Sequence, residues 1–361
     1  MILRFFVTLF TLIIANGCNT SKKNVNSKFF VKDSIKPSLY HMNTWKDKDD
    51  KLNSSPRRGI AEWEKANALV VAFPFDLPDT LLKIISKNSK LVVCLQDEHL
   101  KNELIDKIQE KQLNIENIKV ITNKKCSLSI QDLFPFETRD SYRFFELYGK
   151  NNCIKQKKYS ENTIKTKAIL SSNSLIFDSL STIYCDINAF NQNKNNRSLD
   201  EFRKVILYEF GVTQLIYFSV FEGNTIDNYI KSIGPNRILI KNYTYNNAEI
   251  LKMEMNSKIF KLDSNLKVET IDEFKEGVSE TSYMNSLIYN DFVFVPLYNN
   301  IKTDSTALNR WKELMPNHTI IGCKLNIGQR LWSKGDILSN RTKIIHSNNF
   351  NLTYDSDFRL R

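Results

Sequence analysis

Ser282-Tyr283-Met284-Asn285-Ser286-Leu287-Ile288, followed by Val295-Pro296-Leu297-Tyr298, Asp304 and Ala307-Leu308, is the stretch on which the reading of this chain turns. Phe292 to Leu297 is a short apolar run of strand type. Asp304 then caps a helix whose Ala307, Leu308, Trp311 and Leu314 recur at the three- and four-residue spacing of one face. Thr319 to Cys323 follows as a second strand. Strand, helix and strand in succession place the segment in the α/β class.

The same alternation opens the chain's globular part. Ala68 to Pro74 is the first strong strand, ended by Pro74, and Lys90 to Leu95 is the next. Glu98 to Leu113 reads as a helix with Leu100, Leu104, Ile105 and Ile108 on one face, and Ile118 to Thr122 as another strand. Periodicity alone does not choose between a doubly wound sheet and a radial set of small α/β units. With 10 glycines and no GxGxxG or GxxxxGK[ST], a nucleotide-binding reading loses its main support.

Composition bounds the partners. A chain of 361 residues with 42% hydrophobic and 25% charged residues buries a large core and is neither fibrous nor wholly disordered. Its net charge of +11 raises nucleic acid or a membrane surface as partners. The lysines, however, are spread along the sequence beside abundant asparagine, with only short clusters such as Lys155-Gln156-Lys157-Lys158. A solvated basic surface accounts for the charge, and nucleic acid is not an expected partner.

The N-terminus carries an address. Arg4 precedes an apolar run from Phe5 to Ala15, too short to span a bilayer as a mature helix, which reads as a cleavable export signal. It ends in Ala15-Asn16-Gly17-Cys18, similar to a bacterial lipoprotein box in which the Cys18 thiol is lipidated. The expected organisation is a signal over residues 1–17, a polar membrane tether over 18–56, a folded domain over 57–346 and a polar tail over 347–361. The expected location is the bacterial cell envelope, exported and membrane-anchored. The other cysteines, Cys94, Cys126, Cys153, Cys185 and Cys323, form no CxxC or Cys/His metal spacing, so no metal or other cofactor is expected. Cys94 and Cys323 read as buried thiols within strands; Cys126 and Cys153 are available to pair in an oxidising compartment.

Several separated segments resemble landmarks of the agmatine and Porphyromonas-type peptidylarginine deiminases, in the same order, between about Ile60 and Ile345. Ala61-Glu62-Trp63-Glu64 and the strand ending Phe73-Pro74 resemble the opening Glu-Trp-Glu and a strand ending Trp-Pro. Thr138-Arg139-Asp140 resembles a Trp-x-Arg-Asp loop; Cys185-Asp186 with Phe190-Asn191, and Ile226-Asp227 leading to Ile238-Leu239-Ile240, resemble later landmarks. The opening quotation is the most specific of these, following a Ser-Tyr-x-Asn strand, a Val-Pro-x-Tyr strand and an Asp-x-x-Ala-Leu helix. The resemblance implies the pentein fold, a five-bladed α/β propeller of ββαβ-like units around a channel that holds the active site.

It also implies a chemistry whose parts are incomplete here. A guanidinium is charged and resonance-stabilised, so hydrolysis needs matching carboxylates, a strong nucleophile and a proton donor for the leaving ammonia. In the family two aspartates grip the guanidinium, a cysteine attacks its carbon and a histidine shuttles protons. Asp140 and Asp227 match the aspartates. The histidine position is Thr225, and Asp336-Ile337-Leu338-Ser339-Asn340-Arg341-Thr342 matches the family's Asp-Ala-Leu-His-Cys-Arg-Thr with Asn340 at the nucleophile. None of His41, His99, His318 or His346 falls in a matching loop. Glu137 stands where the loop tryptophan would stack, and Gln192-Asn193-Lys194 where the peptidylarginine branch carries an arginine. The candidate ligand contacts are Glu137 and Asn285. The expected function is a catalytically inactive, lipid-anchored homologue that binds a guanidinium or other cationic small molecule or an arginyl peptide, or serves as a scaffold. A diverged deiminase acting on agmatine or arginine-type groups is the alternative.

Overall fold

The structure is a computed structural model that describes residues 59–122, 124, 126, 130, 137, 144–146, 163–165, 168, 170, 174–178, 182–195, 197–212, 214–218, 226–243, 266–276, 279–280, 282–325, 338–339 and 341–346. Residues 1–17 and 18–56, expected to be an export signal and a tether, together with Cys18, Asp140, Cys153, Thr225, Asn340 and residues 347–361, lie outside these residues.

Strand β1 (Ala68–Ala72) runs through helix α1 (Asp79–Asn88) to β2 (Lys90–Leu95), and through α2 (Lys101–Glu110) to β3 (Ile118–Thr122), all three strands parallel. β4 (Phe144–Glu146) and β5 (Thr163–Lys165) form a parallel pair. β6 (Leu175–Phe177) lies antiparallel to β7 (Thr182–Asp186), from which α3 (Ile187–Asn191) and α4 (Leu199–Phe210) lead to β8 (Gln214–Phe218), parallel to β7. β9 (Ile230–Gly234) is antiparallel to β10 (Arg237–Tyr243), which pairs in parallel with β11 (Lys267–Glu273). A small hairpin, β12 (Lys275–Glu276) and β13 (Ser279–Glu280), precedes β14 (Leu287–Tyr289), antiparallel to β15 (Phe292–Leu297). Helix α5 (Ile301–Leu314) then returns the chain to β16 (Thr319–Lys324), parallel to β15. Last, β17 (Thr342–Ile345) pairs antiparallel with β1, with Ala68 opposite Ile345 and Val71 opposite Thr342.

One plan therefore recurs in four sheets: an antiparallel edge strand, a central strand, and a parallel strand beyond it. The first sheet obtains its antiparallel edge from the other end of the chain. Central strands sandwiched in this way read as continuous apolar runs, and every residue of β1 and β7 is buried. α1 and α2 pack Leu81, Leu82, Ile85, Leu104 and Ile108 against the first sheet in one cluster with Leu69, Val71, Leu91 and Val93. α4 is held at both ends. Ser198 and Glu201 form a reciprocal capping box at its start, and Gly211 takes the left-handed conformation, φ 60°, at its close.

Three sequence expectations change. Glu98 to Leu113 is not one helix: Glu98–Leu100 is a 3-10 turn capped by the Asp97 side chain, α2 ends at Glu110, and Gln112 adopts φ 52°, which a continuing helix cannot accommodate. Of the predicted face, Leu104 and Ile108 are buried. Cys94 is not a free thiol. It is joined in a disulfide to Cys126, with Cα atoms 5.9 Å apart, tying the segment after β3 to the centre of the first sheet; the pairing of Cys126 with Cys153 is thereby replaced.

The third change concerns Asp304, which does not cap α5. Asn300 does, accepting from the backbone N–H groups of Lys302 and Thr303. Asp304 sits in the first turn, 7% exposed, where its Oδ1 accepts from the Tyr283 hydroxyl at 2.8 Å and the Tyr298 N–H at 2.9 Å. The Ser282 N–H donates to the Tyr298 hydroxyl, and the Trp311 indole N–H donates to the Tyr283 carbonyl. Glu273 on β11 accepts from the N–H groups of Tyr283 and Met284. The most specific stretch of the sequence is thus a buried polar knot that fastens α5, β15 and the turn before β14. Asp304, Tyr283, Tyr298 and Trp311 are framework residues, joined by these hydrogen bonds because an unmatched buried polar group costs about 1–3 kcal/mol.

Candidate functional site

A cavity of about 140 Å3 opens where the antiparallel edge strands converge: β6, β9, β14 and β17 all contribute to its wall. Its acidic lining residues are Glu62, Glu137 and Asp227; Lys231 and Lys343 are basic, and Ser232, Ser339, Thr342 and His346 complete the polar side. Leu175, Phe177 and Leu287 supply apolar surface. A concave site of mixed apolar and convergent polar character is where a small ligand would be expected.

Each polar group is placed by a local rule. Asp227 sits in a 3-10 turn, Ile226–Asn228, directly before β9, so the strand start fixes its carboxylate at the cavity. Glu137 is 8% exposed, and its Oε2 accepts from the His346 N–H at 2.6 Å at the end of β17. Glu62 and Lys231 form a two-pronged ion pair, with Lys231 Nζ at 2.8 Å from Oε1 and 2.7 Å from Oε2. β9 is buried throughout, so its two polar residues need partners: Lys231 has Glu62, and Ser232 accepts from the Trp63 indole N–H. The Glu-Trp-Glu segment is therefore a strap laid across β9 and β14, with Glu62 also accepting from the Ile288 N–H and Glu64 turning back to the Ala61 N–H.

The loop around position 340 is framed firmly by its neighbours. Thr342 Oγ1 donates to the Leu338 carbonyl, and the Arg341 guanidinium reaches Asp76 at 2.6 Å. Leu338 is fully buried and Ser339 lines the cavity. Leu338, Arg341 and Thr342 are among the residues whose agreement with the deiminase pattern surrounds Asn340, and each of the three has a structural task.

Of the predicted site residues, the cavity brings together Glu137 and Asp227. Asn285 is 2% exposed in the turn before β14 and is not among the lining residues; its Nδ2 has no hydrogen-bond partner among the described residues. Asp140, Thr225, Asn340 and Cys18 are outside them. Sequence reasoning missed Lys231, whose signal was a lysine inside an otherwise apolar strand, and His346, whose ring Nδ1 lies 3.1 Å from the Lys65 carbonyl oxygen. The remaining described cysteines are fully buried: burial pushes the Cys323 thiol up to about 12, and burial, followed by the nearby Asp186 charge, raises the Cys185 thiol well above its ordinary value. No group of three or more metal-ligating side chains occurs among the described residues.

Repeated antiparallel-then-parallel sheets, with acidic residues lining a cavity where their edge strands meet, make a mixed α/β fold whose solved neighbours are of the pentein type. The sequence model of Porphyromonas-type peptidyl-arginine deiminases matches residues 58–337, and the chain belongs to that family. Solved structures agree on the fold. The agmatine deiminase of C. jejuni superimposes with a TM-score of 0.65 at 17% identity, covering 81% of this chain and 96% of that one. A cysteine-to-serine variant of that enzyme with substrate bound gives 0.64 at 15% identity, with coverage of 81% and 96%. The agmatine deiminase of Enterococcus faecalis gives 0.63 at 15% identity, with coverage of 80% and 96%.

Proposed function

We propose that this family member is a five-bladed propeller that no longer deiminates and that retains its central cavity as a binding site for a guanidinium or other cationic head group. The observation that carries the reading is the state of its thiols. Hydrolysis of a guanidinium by this family's route needs a thiolate at the cavity, whereas Asn340 stands at the matched position in sequence. Among the described residues, Cys94 and Cys126 are consumed in a disulfide, and Cys185 and Cys323 are buried and held protonated. Convergence of four edge strands on one cavity supports the propeller. Binding is supported by Asp227 and Glu137 in its wall, and by the capture of substrate in a related enzyme whose cysteine is serine.

A residual hydrolase is favoured by one observation, the imidazole of His346 at the cavity wall. It supplies a base without supplying a nucleophile. The deciding assay is release of ammonia with citrulline or carbamoylputrescine from arginine, arginyl peptides and agmatine, using residues 19–361 beside an Asn340→Cys, Thr225→His variant. No turnover by the native chain and turnover by the variant is the expected pair. Native turnover that disappears on replacing Asp140 and Asp227 by Ala would sink the reading.

The same proposal places the protein in the cell envelope, tethered through a lipid on Cys18. Beyond the sequence box, the Cys94–Cys126 disulfide supports it, because such bonds persist in oxidising compartments. Cys18→Ala should move the protein from the membrane to the soluble fraction; a variant that stays with the membrane refutes the anchor.

A further inference from the structure

We propose that Lys231 is a tethered occupant of the cavity, holding one of its carboxylates with its own ammonium and thereby setting which cations the site admits. The inference rests on the cavity being a cation site, and it identifies a residue that determines its selectivity. Lys231 lines the cavity yet is only 5% exposed, on a strand whose other side chains are buried. Its ammonium makes two short contacts with Glu62, at 2.8 and 2.7 Å, the geometry an external amine would adopt on that carboxylate. Glu62 is in turn oriented by the Ile288 N–H at 3.2 Å, so the carboxylate is aimed by the backbone as well as by its counterion.

A purely structural latch would join two surfaces away from any opening. Here both partners belong to the wall of the cavity, beside Asp227 and Glu137. The ammonium neutralises one of three acidic groups, and a ligand with two cationic ends meets Glu62 already taken. Cutting Lys231 back to alanine removes Cγ, Cδ, Cε and Nζ, leaving the carboxylate in place, its backbone donor intact, and a space the length of a three-carbon amine.

The test is thermal unfolding of residues 19–361 carrying Lys231→Ala, with and without n-propylamine in the millimolar range. The variant's midpoint should fall, and n-propylamine should raise it by more than it raises the native chain or Lys302→Met, which removes a charge outside the cavity, while n-propanol raises none of them. Equal response of Lys231→Ala and the native chain overturns the proposal. Should Lys231→Ala fail to fold, Lys231→Met keeps the aliphatic stem and loses the charge. Its affinity for agmatine by calorimetry should exceed that of the native chain by about tenfold or more, and equal affinities are the overturning result. Amine rescue of the variant in a protein whose native form binds no guanidino compound would leave this inference standing and remove only the proposed native ligand.

Discussion

Replacing Asp304 by Ala would break the polar knot at its centre, with a cost that follows from the contacts. Two donors, the Tyr283 hydroxyl at 2.8 Å and the Tyr298 N–H at 2.9 Å, share one oxygen of a carboxylate that is 7% exposed. Hydrogen bonds to a charged group contribute about 1.5–3 kcal/mol each, and removing the acceptor leaves both donors buried, so a loss of about 3–5 kcal/mol is expected. Tyr283→Phe removes only one donor and should cost about 1–2 kcal/mol. Because the two residues touch, the double variant should show a coupling of about 1 kcal/mol or more. Urea unfolding followed by tryptophan fluorescence suits the question, since Trp311 is fully buried and donates to the Tyr283 carbonyl. A loss below about 1 kcal/mol for Asp304→Ala, or additive effects in the double variant, would show that the knot does not hold α5 in the way described.

Three further outcomes follow. The Cys94–Cys126 bridge closes a sequence separation of 32 residues, for which chain-entropy reasoning gives a stabilisation of roughly 3–4 kcal/mol; Cys94→Ser, Cys126→Ser should lower the urea midpoint accordingly, and an unchanged midpoint would refute it. Cys185 and Cys323 should resist iodoacetamide at pH 8 in the folded state, because burial raises the Cys185 thiol well above its ordinary value and the Cys323 thiol, pushed up to about 12, is about one part in ten thousand thiolate there; mass spectrometry showing prompt labelling would contradict their burial. Burial pushes the Tyr289 phenol up to about 12, against an opposing hydrogen bond with Ser89. The folded state thus keeps a proton that the unfolded chain gives up near pH 10, so stability present below that pH falls by about 1.4 kcal/mol per unit between roughly 10 and 12. Tyr289→Phe should flatten that part of the alkaline stability curve relative to the native chain, and parallel curves would count against it.

Local patterns were readable where local forces decide. Lys90–Leu95 and Phe292–Leu297 stand at the expected bounds, because an apolar run flanked by breakers has few alternatives. The α/β alternation was legible for the same reason. Asp304 was misread because aspartate at a helix start is ordinarily a cap, and only Tyr283 and Tyr298, brought in from the preceding strand region, show that it faces inward. Cys94 and Lys231 were misread or missed for a related cause: their partners, Cys126 and Glu62, are distant in sequence, and periodicity contains no information about such pairings. The cavity was half legible. Asp227 and Glu137 were identified through motif order, whereas His346 was dismissed for lying in no matching loop, although β17 carries it to the cavity wall.

The pairing of β1 with β17 bears on how the chain comes to be folded at all. The N-terminal sheet has an open edge until the last strand arrives, so synthesis or translocation of the whole domain precedes its completion. The same delay leaves β1, an unbroken apolar strand, exposed to pairing with other chains in any truncated product that stops short of Thr342.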